Sequence, residues 1–149
     1  MKRFLLLVAT MSLSACSLNT TPDAHPTDPA TETFASTLNI NISTMQKTTN
    51  GVYYKDLVAG TGAALTTAQQ VTISFGAFVK TGAVFASGDH VPITVASMTA
   101  GLQEGMSGMK IGTERLIVIP SALGFGNSPF ASVPPNSTLI YDVLLFSFQ

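Results

Sequence analysis

The chain has 149 residues, of which 46% are hydrophobic and 10% charged, and a formal net charge of −1. That near-neutral balance gives nucleic acid no electrostatic footprint to bind. The single cysteine excludes an intramolecular disulfide.

The N-terminus has the pattern of an address. Lys2 and Arg3 start it, residues 4–13 form a short apolar stretch, and small residues lead to Cys16. This pattern predicts a secretory signal over residues 1–15, too short for a good membrane-spanning helix. Leu13-Ser14-Ala15-Cys16 resembles a bacterial lipoprotein lipobox. The resemblance implies lipidation of Cys16 and a membrane anchor in the cell envelope. Ser17, in place of aspartate, points to the outer membrane, facing the periplasm. Removal of residues 1–15 leaves five basic against eight acidic residues, a formal charge of −3.

Residues 16–37 are rich in Thr, Ser, Pro, Asn and Asp and poor in large apolar side chains. They read as a tether, with a reach of roughly 25 Å as a coil and up to about 70 Å pulled straight. Residues 38–149 read as one α+β domain. Alternation of Leu38, Ile40 and Ile42 with Asn39 and Asn41 predicts a strand. Further strands are predicted over 52–58 and 71–79, and Lys80-Thr81-Gly82 is a turn that pairs Val84-Phe85 back as a hairpin. A short strand follows over 90–95.

Residues 98–106 make the best helix candidate. Ser97 is placed to cap it, and Met98, Leu102 and Met106 share one face. Gly101 and Gly105 keep it short, and their spacing in so brief a helix reads as packing chemistry. Strands over 114–119 and 138–148 complete the domain. The last has hydrophobes on both faces, with Leu144, Phe146 and Phe148 opposite Tyr141, Val143 and Leu145. Its outer face reads as a covered strand or a sticky patch, and the expectation is a cover from the first strand or from a partner.

Four blocks in the last third carry the chemistry. They are Gly105-Met106-Ser107-Gly108-Met109, the Ile119-Pro120 pair, Leu123-Gly124-Phe125-Gly126, and Val133-Pro134-Pro135-Asn136-Ser137-Thr138-Leu139. In this order and spacing they resemble the FKBP-type peptidyl-prolyl isomerases. The resemblance covers about residues 51–149 and implies a twisted antiparallel β-sheet curled around one short α-helix, with a pocket between them. It also implies catalysis without nucleophile, metal or cofactor. The X-Pro bond resists rotation by about 18–20 kcal/mol because its C–N bond is partly double, and a dry apolar pocket favours the twisted, less polar amide.

By resemblance, the substrate-binding and catalytic positions are Phe75, Phe85, Ala86, Met98, Thr99, Leu102, Phe125, Val133 and Tyr141. Phe75 stands where an aromatic, commonly Tyr, is usual. Phe85 matches the Phe of a Phe-Asp-Ser block, and Ala86 stands in place of its Asp. Met98 and Thr99 stand at an apolar pair that opens the helix. Leu102 replaces the Trp that floors many family pockets, and Phe125 replaces a Tyr whose hydroxyl binds a ligand carbonyl. Val133 matches an Ile whose backbone N–H can donate to the ligand, and Tyr141 matches a pocket Phe. Phe75, Ala86, Leu102 and Phe125 each remove a polar handle or floor area. The expected protein is an isomerase of reduced activity that prefers large apolar residues before proline and assists the folding of exported, proline-containing polypeptides. A macrolide inhibitor is an expected ligand. The alternative is a binding module or adaptor that keeps the pocket without useful catalysis.

No other site chemistry emerges. His25 and His90 lie apart and lack a cysteine partner for metal. No nucleophile elbow accompanies His90. Neither Gly60-Thr61-Gly62 nor Gly124-Phe125-Gly126 leads into the Gly-Lys-Ser/Thr of a phosphate loop.

Overall fold

A computed structural model describes residues 27–66 and 69–149. The expected signal segment and Cys16 lie outside them. The sheet has six antiparallel strands in the order β1 (Gln46–Lys47), β2 (Tyr53–Val58), β7 (Glu114–Ile119), β8 (Leu139–Phe148), β4 (Gln70–Val79) and β5 (Val84–Thr94). A two-stranded ladder joins β3 (Thr61–Ala64) to β6 (Lys110–Ile111). One helix, α1 (Ala100–Met106), packs on the inner face of the sheet against β7. This is the α+β architecture expected from the sequence.

Most strands follow from period-two patterning. On β7, Ile117 and Ile119 point to the helix-bearing core, while Val118 joins Tyr53 and Ile140 in a second cluster on the outer face. The predicted turn forms at Gly82, whose φ of +85° suits glycine and whose N–H donates to the Val79 carbonyl at 2.9 Å. The strand segments expected at 84–85 and 90–95 are parts of one strand, β5. The intervening residues stay paired to β4 through register shifts between Ile73 and Phe75 and between Ala77 and Phe78.

α1 sits very close to the sheet. A Cβ on Gly101 would lie 2.2 Å from Ile119 Cγ2, and one on Gly105 would lie 2.4 Å from Ile117 Cγ2. These glycines are therefore the contact surface of the helix, as the packing reading of their spacing implied. Leu102 and Met106 fill the core between them. Arg115, on the neighbouring strand and nearly buried, fastens the far end of the helix. Its guanidinium donates to the carbonyls of Gly105 (2.9 Å) and Ser107 (3.1 Å) at the helix C-terminus. The same group makes a two-point pair with Asp56 (2.5 and 3.1 Å) and covers the Tyr54 ring at 4.5 Å. Helix-end carbonyls that would otherwise be orphaned are thus satisfied from the sheet.

Three local expectations are corrected. Residues 38–42 are not a strand. Asn39 takes a left-handed φ of 49°, and Asn41 leads into the 3-10 turn Ile42–Thr44 while accepting from the Ser43 hydroxyl at 2.7 Å. The asparagines break the extended backbone that apolar alternation alone predicts. The helix starts at Ala100, after Met98 and Thr99. Ser97 does not cap it, because its hydroxyl donates to the Thr94 carbonyl at 2.7 Å within a preceding 3-10 turn, Val95–Ser97. Finally, Phe148 does not share the outer face with Leu144. A register shift brings Phe148 opposite Val71, and its side chain packs against the inner core.

Ordered packing begins well before residue 38. Residues 27–45 form an arm of 3-10 turns on the outer face of the sheet. Phe34, Leu38, Ile40, Ile42 and Met45 lie over Tyr53, Val118 and Ile140. Polar ties hold its first turns. Asp28 accepts from the Tyr53 hydroxyl at 3.2 Å and pairs with Lys47, and Glu32 accepts from Thr138 Oγ1 at 2.8 Å and pairs with Lys80. The cover that the last strand needed is thus supplied by the chain itself, from residues that had read partly as tether.

The close helix approach makes a test. Gly105→Ala is expected to destabilise the domain by about 1–3 kcal/mol, as overpacked core substitutions do, read as a lower urea midpoint with an unchanged m-value. An exposed control, Ala122→Gly, should leave the midpoint nearly unmoved.

Candidate functional site

The site forms where the inner face of the sheet, the residues before and within α1, and the long β7–β8 connection meet. β4 supplies Phe75, β5 supplies Phe85 and Ala86, and β8 supplies Tyr141. Leu102 comes from α1, with Met98 and Thr99 just ahead of it. Phe125 and Val133 come from the connection. Leu102, Val133 and Tyr141 are buried members of the main core cluster, and Phe75, Phe85, Ala86, Met98 and Phe125 pack against it half-buried.

The rings form a chain. Tyr141 lies 6.3 Å from Phe75 and 5.8 Å from Phe85, the latter edge-on at 89°. Phe85 meets Phe125 at 6.1 Å and 77°. Such edge-to-face contacts add about 0.5–1.5 kcal/mol each beyond burial, so they fix ring orientation as well as fill space. Phe125 is held by the loop on either side of it. A 3-10 turn, Ser121–Leu123, precedes it, and Gly126 takes φ +60° so that its N–H can donate to the Ser121 carbonyl at 2.8 Å. The Asn136 N–H then donates to the Gly126 carbonyl at 2.8 Å, closing the connection back on itself.

Phe130 was not among the expected residues. Its ring stacks on Phe125 at 4.2 Å and 18°, and it remains 51% exposed. A lone aromatic in a Gly-, Ser- and Pro-rich stretch was the available signal in the sequence.

Hydrogen-bonding capacity differs from expectation. The Val133 N–H, expected to be open to a ligand, donates to the Phe130 carbonyl at 2.8 Å, and the Phe130 N–H returns a bond to the Val133 carbonyl at 3.2 Å. Among the described residues, the Ser121 hydroxyl is buried without a partner, the Tyr141 phenol makes no hydrogen bond, and further unused donors belong to Thr99. Its side chain makes no capping bond, its hydroxyl is buried without a partner, and its N–H has no acceptor. Leaving a buried hydroxyl unpaired costs roughly 1–3 kcal/mol, so Thr99 is a polar exception in a largely apolar wall.

Tyr141 is the only titratable side chain in the set. It is 7% exposed, and burial pushes its phenol up to about 12. The site is therefore uncharged at neutral pH. Among the described residues no group of three His, Cys, Asp or Glu side chains could hold a metal.

An aromatic cluster of this form on an antiparallel sheet with one helix has clear relatives. The family model for FKBP-type peptidyl-prolyl cis-trans isomerases matches residues 62–146. This chain belongs to that family. It is 31% identical over 102 residues to a protein named FK506-binding protein from Neisseria meningitidis serogroup B, a match spanning 64% of this chain and 94% of the relative. It is 34% identical over 103 residues to FK506-binding protein 4 of Dictyostelium discoideum, spanning 66% of this chain and only 28% of that protein. The chain thus covers under a third of that larger relative. Among solved structures, FkpA of Escherichia coli superposes with a TM-score of 0.67 at 27% identity, covering 70% of this chain and 51% of that one. A Pseudomonas syringae peptidyl-prolyl isomerase shares the fold with a TM-score of 0.66 at 19% identity, covering 70% of this chain and 80% of that one.

The raised phenol has a measurable consequence. An unfolded tyrosine ionises near pH 10, whereas folded Tyr141 holds its proton until about 12. Between those values the unfolded state releases a proton that the folded state keeps, so stability falls as pH rises through that window. Tyr141→Phe should flatten that part of a denaturation-versus-pH curve. An unchanged alkaline slope in the variant would contradict the buried, neutral phenol.

Proposed function

We propose that this protein is a prolyl cis-trans isomerase, lipid-anchored through Cys16 in the bacterial envelope, that assists the folding of exported polypeptides at a reduced rate. The single observation that carries the catalytic part is the ring chain Phe75–Tyr141–Phe85–Phe125 inside a segment matched by the isomerase family. Such a site works by what it excludes. With water removed, a planar amide loses hydration that its charge-separated resonance form needs, while a twisted amide loses less. The barrier of about 18–20 kcal/mol is lowered without any covalent step.

The reduced rate follows from missing polar handles. Phe125 offers no hydroxyl to a substrate carbonyl, Ala86 offers no carboxylate, and the Val133 N–H is already spent on Phe130. The unpaired N–H and hydroxyl of Thr99 remain to hold a carbonyl beside the proline. Each lost hydrogen bond is worth about 0.5–1.5 kcal/mol net, or roughly 2- to 13-fold in rate. The apolar wall around Phe85 and Leu102 favours a large apolar residue before proline.

The lipid anchor and outer-membrane location rest on Leu13-Ser14-Ala15-Cys16 and Ser17.

A second reading, an adaptor that grips apolar or proline-containing segments without turning them over, is favoured by the engaged Val133 N–H. The deciding assay is prolyl isomerisation of a Leu-Pro peptide by the full chain, with and without a macrolide inhibitor. Acceleration that the inhibitor removes is the expected result, whereas inhibitor binding without acceleration would establish the adaptor. Phe125→Tyr and Ala86→Asp together should raise the rate about tenfold or more. In the unaltered protein Leu-Pro should isomerise several-fold faster than Glu-Pro, and equal rates would defeat the proposed preference.

A further inference from the structure

The outer face of the sheet is only partly covered by the arm. Beyond it, two depressions meet at Asp142. One, of about 280 Å³, is lined by Ser74, Phe75, Gly76, Gly88, Glu114, Asp142 and Leu144, although the Phe75 side chain packs against the inner core. The other, of about 340 Å³, runs between the arm and the sheet and is walled by Leu38, Leu57, Phe78 and Leu116. The strand register explains the junction. Asp142 lies opposite Leu116 on β7 and opposite Gly76 on β4, and Glu114 lies opposite Leu144. All of these point away from α1. Gly76 has no side chain to fill the floor, and the Phe78 ring would lie 3.0 Å from any Cβ placed there.

Glu114 and Asp142 are half-buried, and neither has a hydrogen-bond or ion-pair partner among the described residues. Asp142 is held above the ordinary carboxylate range, first by burial and then by the charge of Glu114. Three other acidic residues, Asp28, Glu32 and Asp56, do have Lys or Arg partners. Lys55, which faces Leu116 from β2, pairs with neither carboxylate. Two acids left unpaired on diagonal positions of adjacent strands are unfavourable by themselves and become favourable when a cation sits between them. The apolar neighbour selects what carries that cation. Leu57 and Val58, at the rim, are 49% and 51% exposed, so a bare metal ion would leave this greasy half unused.

We infer that this groove is a second polypeptide-binding surface, separate from the isomerase site, for an extended segment in which a basic residue adjoins a large apolar one. The basic group lies between Asp142 and Glu114. Its methylene stem crosses the open floor at Gly76 beside Leu144, and the adjoining apolar residue enters between Leu38, Leu57 and Leu116. Continuity supports a polypeptide occupant, because the next strip of the same face already carries the arm, whose Phe34, Ile40 and Ile42 dock on the sheet in the same manner. A proline is not required, so one client segment can be held on the outer face while another enters the catalytic face.

The test uses the full chain and two labelled, proline-free peptides with Leu-Lys-Leu or Leu-Glu-Leu at their centres, followed by fluorescence anisotropy. The Lys peptide should bind at least tenfold more tightly than the Glu peptide, and more weakly as salt rises. Glu114→Gln with Asp142→Asn should remove most of that difference. The variant should melt no lower than the parent, since it loses only a repulsion, and should isomerise a Leu-Pro peptide at the parent's rate. Saturating Lys peptide should not slow that isomerisation. Equal binding of the two peptides, no binding of either, unchanged binding by the variant, or competition with the proline substrate would each overturn the inference. Because the isomerase rate is read separately, loss of this surface and loss of catalysis are distinguishable.

Discussion

The approach of α1 to β7 sets the rest of the molecule. Helices normally pack with side chains interleaved at axis separations of 8–10 Å. Here Gly101 and Gly105 leave Ile117 and Ile119 room to touch the helix backbone. A seven-residue helix is too short to be stable in isolation, so its position depends on this contact and on Arg115. The guanidinium binds the helix-end carbonyls on one side and Asp56 on the other. Leu102 and the Met98-Thr99 approach reach the site only because the helix is held there.

With the inner face spent on that packing, the outer face acquires a different chemistry. The arm lays its apolar residues over Tyr53, Val118 and Ile140 and fixes its start through Asp28 and Glu32. What it leaves open is the row from Leu116 through Asp142 to Gly76, where charge and apolar surface stand side by side. The two faces are therefore suited to different features of an unfolded chain. One is dry, aromatic and uncharged, and the other is acidic beside a greasy rim.

The residues assigned to the site by resemblance bring their rings together, and Phe125 and Ala86 add no polar group to them. Phe85 meets Phe125 and Tyr141 edge-to-face, so the aromatic cluster is packed like a core. In the proposed isomerase, handles for substrate carbonyls are correspondingly few. Desolvation of the amide survives such losses, while orientation of the flanking residues does not, and the balance between them separates an isomerase from an adaptor.

Local patterning determined much of this in advance. Alternation placed β2, β4, β7 and β8 almost to the residue, and the glycine, proline and aromatic spacings of the last third identified the family and drew nine side chains to one region. Tertiary structure decided what depends on residues distant in sequence. Asparagine backbone geometry turned an alternating segment into an arm, and a register shift at the end of β8 carried Phe148 to the core. The Val133 N–H found its acceptor three residues away across a loop whose shape no pattern specifies. Arg115 joined Asp56 to a helix end, and Glu114 came to lie diagonal to Asp142, because strands distant in sequence lie in adjacent register. Periodicity reports which face a residue occupies, whereas only strand pairing reports which residue stands beside it.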